Sequence, residues 1–174
     1  RRPFRVDFDE RSPLREVLNV MELRTGVETE AAGLSAERAS PAQVEKIVER
    51  YEAIQAAIER GDNAVDEDFA FHCAIADGTG NPQFRRFLEY LGRFIIPRRT
   101  VWGPTKPAAR RVDLETFQRE HKEILDAITG ASPEQARAAM QRHLLNSRAR
   151  YEIIAAEQRK TNDLSTTSAS RVTS

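Results

Sequence analysis

The sequence predicts an all-α fold, an antiparallel bundle of six helices, from three observations. Apolar residues recur at steps of three and four, the spacing of one helix face, as in Val17 and Val20 and again in Val27, Ala31 and Leu34. No segment alternates apolar and polar residues with period two, so we expect no sheet. Glycine and proline fall at the edges of the periodic segments, and the short turns between these segments make consecutive helices antiparallel neighbours.

Start and stop signals give the bounds of each predicted helix. Ser12-Pro13 opens the first helix, because serine favours the N-cap and proline the first helical position, and Ser40-Pro41 opens the second in the same way. Gly61 and Gly130 are typical of helix ends. The expected helices span residues 13–39, 41–61, 62–77, 82–99, 112–129 and 133–159.

The remaining segments lack helical periodicity. We expect residues 1–12 to be a charged linker from an upstream domain, because the sequence begins at an arginine rather than a methionine. Gly103, Pro104 and Pro107 within residues 102–107 predict a loop between the fourth and fifth helices. Residues 161–174 are rich in serine and threonine and are expected to be a disordered tail, leaving 13–160 as the helical domain.

Composition excludes several classes of function. The 174 residues carry no formal net charge, which argues against a domain that grips nucleic-acid phosphates with its own surface. No apolar run reaches the ~18 residues of a membrane span. The single cysteine, Cys73, excludes an internal disulfide and is consistent with the reducing cytoplasm, where we expect the protein to act.

The three histidines all fall on apolar helix faces. His72 follows Asp68 by four residues, so the two share a face of the third helix, while His121 and His143 occupy core positions of the fifth and sixth. Three imidazoles and one carboxylate directed into one core are typical of a metal coordination shell. Such a set suits zinc, nickel, manganese, iron or cobalt, and leaves room for water or a small carboxylate.

A metal-free interpretation of the same residues stays open. Core histidines are often hydrogen-bonded packing residues rather than ligands. Asp68 could equally be a surface acid, with Asp62 and Asp66 as exposed alternatives. The sequence pattern alone does not separate the two interpretations.

Arg24 interrupts the apolar stripe of the first helix. A buried guanidinium needs an anion, because an unpaired buried charge is very costly. That anion is either a ligand carboxylate, which a guanidinium binds with two parallel hydrogen bonds, or an internal acid, most simply Glu28 one turn on. Arg98, Arg99 and Arg150 are further candidate anchors, or ordinary solvated side chains.

Four regions, in this order, resemble motifs of the FadR C-terminal domain, the effector-binding half of FadR-subfamily GntR transcription regulators. The second, third and fourth regions contain the family patterns D-x-x-F-H-x-x-I, H-x-x-I-x-x-A-I and A-x-x-x-M-x-x-H-L, respectively. The resemblance covers residues 13–151. The regions are 22–28 (ELRTGVE) with 31–36 (AAGLSA), 68–76 (DFAFHCAIA) with 79–81 (TGN), 120–128 (EHKEILDAI), and 136–144 (ARAAMQRHL).

The resemblance implies a bundle of six or seven helices around a central pocket with a divalent transition metal, zinc first. It implies that Asp68, His72, His121 and His143 hold the metal, and that a small organic acid binds there. It further implies a homodimer that contacts operator DNA only through a winged helix-turn-helix domain upstream. As effector-binding residues we expect those suited to hold carboxylates: Arg24, Asn146 and Arg98.

Two other functions compete with this one. Histidines on a helical bundle also resemble DinB-like metal-dependent enzymes, although we find no nucleophile or base beside the ligands. A di-iron carboxylate site is disfavoured because Phe69, Gln118 and Met140 stand where Glu-x-x-His pairs need glutamate. A metal-free dimerisation domain is the second rival. We expect a regulatory domain without catalytic activity.

Overall fold

The computed structural model describes the backbone of residues 14–92 and 107–170, and within these ranges it is all-α, without a strand. The fold class predicted from periodicity is therefore confirmed. The six helices are α1 (Leu14–Arg38), α2 (Pro41–Glu59), α3 (Val65–Gly78), α4 (Pro82–Leu91), α5 (Pro107–Thr129) and α6 (Pro133–Ser170).

Several helix bounds differ from the expected ones for local reasons. α3 begins three residues late, because Asn63 accepts a hydrogen bond from the Val65 amide and Ala64 adopts the left-handed conformation (φ 52°). α4 ends at Leu91, where Gly92 has a φ of 68°. The rest of the predicted fourth helix, Arg98 and Arg99 with it, lies outside the described residues, as does the predicted loop up to residue 106.

The two remaining differences concern α5 and α6. α5 begins at Pro107 rather than 112, since proline is well suited to the first helical position. α6 continues to Ser170, ten residues into the segment expected to be disordered. No glycine or proline follows Pro133, so the sequence contains no strong helix breaker there.

One main hydrophobic core joins five of the six helices. Its largest fully buried side chains are Ile47 and Ile54 of α2, Phe71 and Ile75 of α3, Ile124 of α5 and Met140 of α6. α1 packs against α3, α5 and α6, which places it beside each helix that carries a histidine. None of the described helices is long and apolar enough to cross a membrane.

Two glycines allow α1 to approach its neighbours closely. At Gly78 the α3 backbone passes over Ser35, and a Cβ at position 78 would lie only 3.1 Å from Ser35 Cβ. Gly33 lies under the Arg137 guanidinium, which makes two 3.0 Å hydrogen bonds to Glu30. At these two points α1 lies directly against α6 and α3.

Candidate metal centre

The three histidines meet in the core of the bundle. His72 of α3, His121 of α5 and His143 of α6 are each at most 3% exposed. Their ring centroids lie 5.7 Å (His72 to His121), 5.5 Å (His72 to His143) and 4.5 Å (His121 to His143) apart. One potential ligand atom from each lies within 4.8 Å of the other two, an arrangement that could hold a metal ion.

Asp68, the fourth predicted ligand, lies at the edge of this cluster. It is buried in the first turn of α3, and its Oδ1 lies 3.1 Å from Nε2 of His121. Two atoms with lone pairs approach this closely only when they share a proton or a cation. The structure thus brings all four predicted ligands into one buried region.

His72 is held from outside the cluster by a carboxylate. Its Nδ1 hydrogen bonds to Glu28, which also forms a buried ion pair with Arg24 one turn earlier on α1. Burial alone would raise the pKa of Glu28, but the Arg24 guanidinium and His72 outweigh it and lower the pKa to about 2. An ionised carboxylate only accepts hydrogen bonds, so Nδ1 carries the proton. Nε2 of His72 has no hydrogen-bond partner among the described residues.

His143 is held by a second carboxylate in the same way. Its Nδ1 lies 2.8 Å from Oε2 of Glu120, which also accepts hydrogen bonds from Asn146 (3.0 Å) and from both terminal nitrogens of Arg150 (2.9 and 2.8 Å). Burial would raise the pKa of Glu120, but these donors lower it to about 2. Arg150 also lies 4.0 Å over the ring of Phe117.

His121 has an amide instead of a carboxylate on its outer side. Gln118 donates from Nε2 to the Tyr51 carbonyl of α2 (3.1 Å), and its Oε1 lies 3.4 Å from Nδ1 of His121. Because the amide oxygen is an acceptor, Nδ1 is the protonated nitrogen of this ring as well. At His72 and His143 the outer carboxylates occupy Nδ1, and at His121 Nε2 is the nitrogen that lies beside Asp68.

The protonation state of His143 suits metal binding. Burial lowers the pKa of His143 to about 3, helped by the neighbouring His121. Its ring is neutral at pH 7, and a neutral imidazole is the form that coordinates metals. Cys73 of α3 is not part of the three-histidine group. Burial raises the pKa of its thiol to about 11, so the thiolate that a metal would bind is disfavoured.

These observations fit a resident transition metal. The unpartnered Nε2 of His72 is a buried polar atom that ordinarily requires a partner, and a cation supplies one. Glu28, Gln118 and Glu120 each contact Nδ1 of one of the three rings. The donor set of three imidazoles and one carboxylate suits zinc and its neighbours among the transition metals.

Two of the three residues predicted to bind an effector, Arg24 and Asn146, lie in the same region but have protein partners. Arg24 is 6% exposed and takes the internal alternative, the ion pair with Glu28. Asn146 donates to Glu120, and Arg98 lies outside the described residues.

The sequence did not reveal Glu120 and Gln118 as partners of histidines. Glu120 is separated from Arg150 by 30 positions, and no periodicity within one helix connects them. For Glu28 a signal existed, since it lies four residues after the buried Arg24.

The FCD domain family model matches residues 19–146 of the chain. The HTH-type transcriptional regulator LutR of Bacillus subtilis (strain 168) is 27% identical over 135 residues, which are 75% of this chain and 60% of LutR. The HTH-type transcriptional repressor NanR of Cronobacter sakazakii is 27% identical over 71% of this chain and 46% of NanR. A putative L-lactate dehydrogenase operon regulatory protein of Escherichia coli (strain K12) is 29% identical over 72% of this chain and 48% of its own length.

Solved structures share the fold. A Streptococcus agalactiae GntR structure superposes with a TM-score of 0.61 at 24% identity, covering 78% of this chain and 58% of that one. E. coli McbR/YncC superposes with a TM-score of 0.69 at 20% identity, covering 83% and 66%. These two likenesses support the helical architecture alone.

The chain spans about half the length of the curated relatives it matches, between 46% and 60% for these three. All three are named as regulators, which favours a regulatory over a catalytic role for the shared domain. The chain belongs to the FCD domain family, the effector-binding domains of GntR-type transcription regulators, and it is a regulatory domain rather than an enzyme.

Proposed function

We propose that this domain senses a small organic carboxylate at a divalent transition metal, and that this binding controls DNA binding by a longer parent protein. The metal is held by Asp68, His72, His121 and His143. The observation that carries the proposal is the convergence of three buried histidines from three helices, with ligand atoms within 4.8 Å of one another.

Zinc is the first candidate for the metal, with nickel, manganese and iron as alternatives. Nitrogen-rich sets that include one carboxylate suit these ions better than magnesium, which prefers oxygen ligands and water. Four protein ligands do not complete a five- or six-coordinate shell. The ion would supply positive charge in a buried site, which is what an organic carboxylate needs as a partner there.

Asn146, Arg24 and Arg98 remain the proposed effector residues, with different requirements. Asn146 lies one turn beyond His143 on α6 and has a second amide hydrogen to offer. Arg24 is buried and pairs through Nε with Glu28, so an effector carboxylate would share its guanidinium with that residue. Arg98 is proposed from the sequence alone.

The parent protein would act as a cytoplasmic homodimer that binds operator DNA through a separate domain. Relatives named as HTH-type regulators, of which the chain spans about half, support this arrangement. An effector changes DNA binding only to the extent that it prefers one conformation of the domain. α1 is the element suited to transmit that preference, because it packs against the three histidine-bearing helices.

The test is native mass spectrometry of the purified domain, followed by calorimetric titration with a panel of small carboxylates. We expect one transition-metal ion per chain, and heat of binding with at least one carboxylate that disappears after chelation and returns with zinc. His121→Asn should lose both metal and carboxylate binding, whereas the surface variant Lys122→Gln should keep both. A domain that binds carboxylates equally well with and without metal would refute the metal-anchored model.

A further inference from the structure

We propose that Glu28 and Glu120 are positioning residues for the metal, and that Arg24 and Arg150 hold these two carboxylates in place. Each glutamate binds Nδ1 of one histidine and thereby directs Nε2 toward the centre of the cluster. The inference rests on the proposed metal site and adds two carboxylates that do not themselves touch the ion.

The first arm, which we define as Arg24, Glu28 and His72, runs from α1 to α3. Glu28 is 1% exposed and accepts from Nδ1 of His72 with one oxygen and from Nε of Arg24 with the other. A carboxylate this deeply buried needs a countercharge, and Arg24 is the cation beside it. Arg24 thus acts on His72 through Glu28.

The second arm, which we define as Arg150, Glu120 and His143, joins α5 and α6. Both oxygens of Glu120 are occupied, Oε1 by Asn146 and Arg150 and Oε2 by His143 and Arg150. The guanidinium binds with two nearly parallel hydrogen bonds, a geometry that fixes the carboxylate plane. The carboxylate in turn fixes the tilt of the His143 ring.

A histidine ligand needs such a partner because imidazole has two nitrogen atoms. A neutral ring carries one N–H, and either nitrogen can hold it, so a ring without an outer acceptor can present N–H rather than a lone pair to the metal. A carboxylate at Nδ1 removes this choice and also makes the ring a more basic ligand. His121 has only the longer contact to the Gln118 amide, so we expect the two carboxylate arms to contribute more.

The chain offers matched controls for both arms. Glu123 pairs with Arg142 between the same two helices as Glu120 and Arg150, but contacts no histidine. Glu30 lies on α1 two residues after Glu28 and pairs with Arg137. Both control carboxylates are exposed, and neither contacts a histidine among the described residues, so Glu123→Gln and Glu30→Gln remove an ion pair without removing a partner of a proposed ligand.

The experiment measures zinc affinity by competition with a chromophoric chelator, and the visible absorption of the cobalt(II)-loaded domain. Glu28→Gln and Glu120→Gln should each weaken zinc binding by about 10- to 100-fold and alter the cobalt ligand-field bands. The two control variants should stay within about twofold of the unmodified domain and keep its bands. Circular dichroism in chelator separates loss of metal from loss of fold.

Glu120→Gln is the decisive variant, because Glu120 is partly accessible and its replacement leaves no fully buried charge unpaired. Should Glu28→Gln fail to fold, Arg150→Gln serves as the second variant, since it keeps Glu120 and releases its anchor; we expect a smaller loss of affinity. Unchanged zinc affinity and unchanged cobalt bands in Glu120→Gln would overturn the positioning role while the metal site stands. An unmodified domain that binds no transition metal would overturn the proposed function, and this inference with it.

Discussion

His143 shows how burial sets the charge of a single side chain. The ring is 3% exposed, and burial together with neighbouring His121 lowers its pKa to about 3, although Glu120 favours the protonated form. In the unfolded chain the same ring takes up a proton near pH 6.5. Lowering the pH from 6.5 toward 3 therefore favours the unfolded state.

We predict that the metal-free domain loses stability as the pH falls from 6.5 toward 3. Between these values the unfolded chain binds one more proton at His143 than the folded chain does, which costs about 1.4 kcal/mol per pH unit. Glu120 adds to this loss below its ordinary pKa, because its folded pKa of about 2 means that it too binds protons more readily when unfolded.

Urea unfolding in chelator at several pH values measures this dependence. His143→Gln should have a free energy of unfolding that falls less steeply between pH 6.5 and 5 than that of the unmodified domain. Parallel slopes for the two proteins would show that His143 does not carry the proton linkage.

The packing of α1 against α3 depends on the absence of a side chain at Gly78. A Cβ there would lie 3.1 Å from Ser35 Cβ and 3.3 Å from Ala39 Cβ, both closer than ordinary contact. Ser35 and Gly78 are both buried, so the crossing has little room to relax. The separation of these two helices also sets the distance between Glu28 and His72.

We predict that Gly78→Ala destabilises the domain by about 1 to 3 kcal/mol through overpacking. Gly26→Ala is the matched control: this α1 glycine is exposed, and a Cβ added to it would meet nothing within 4 Å, so alanine should stabilise the helix by about 0.5 to 1 kcal/mol. Thermal unfolding of both variants gives the comparison. Equal effects of the two substitutions would contradict the close-approach argument.

At the scale of the whole molecule, the ligand cluster ties together helices that are distant in sequence. Its histidines come from α3, α5 and α6, and its outer partners add α1 and, through the Tyr51 carbonyl, α2. An ion that binds only when these helices are assembled stabilises the folded state by mass action.

We predict that zinc at 100 times its dissociation constant stabilises the domain by about 2.7 kcal/mol. For a domain of this size the midpoint of thermal unfolding should then rise by about 5 to 10 °C. Differential scanning calorimetry with and without zinc measures the shift. His121→Asn should show almost no shift, and an equal shift in that variant would place zinc elsewhere.

The sequence predicted those features that repeat within one helix. The all-α class follows from steps of three and four, and the core positions of His72, His121 and His143 follow from the same periodicity. Arg24 was recognisable as buried because it interrupts such a stripe. These properties depend on local geometry, which a single segment contains.

Contacts between helices were not predictable in this way. The Glu120–Arg150 pair joins two helices whose relative rotation is set by packing across the whole core. The late start of α3 depends on the left-handed Ala64, a conformation that alanine rarely adopts and that no sequence rule for helix starts indicates. The serine- and threonine-rich composition of residues 161–174 predicted disorder, but the segment contains no glycine or proline to end a helix, and α6 continues to Ser170.

The two glutamates held by arginines have a consequence for grafting this site onto another scaffold. Grafting the histidines alone onto a different bundle would transfer the ligands without the groups that keep each ring from turning over. A successful graft would have to include Glu28 with Arg24 and Glu120 with Arg150, hence segments of α1, α3, α5 and α6 as one block.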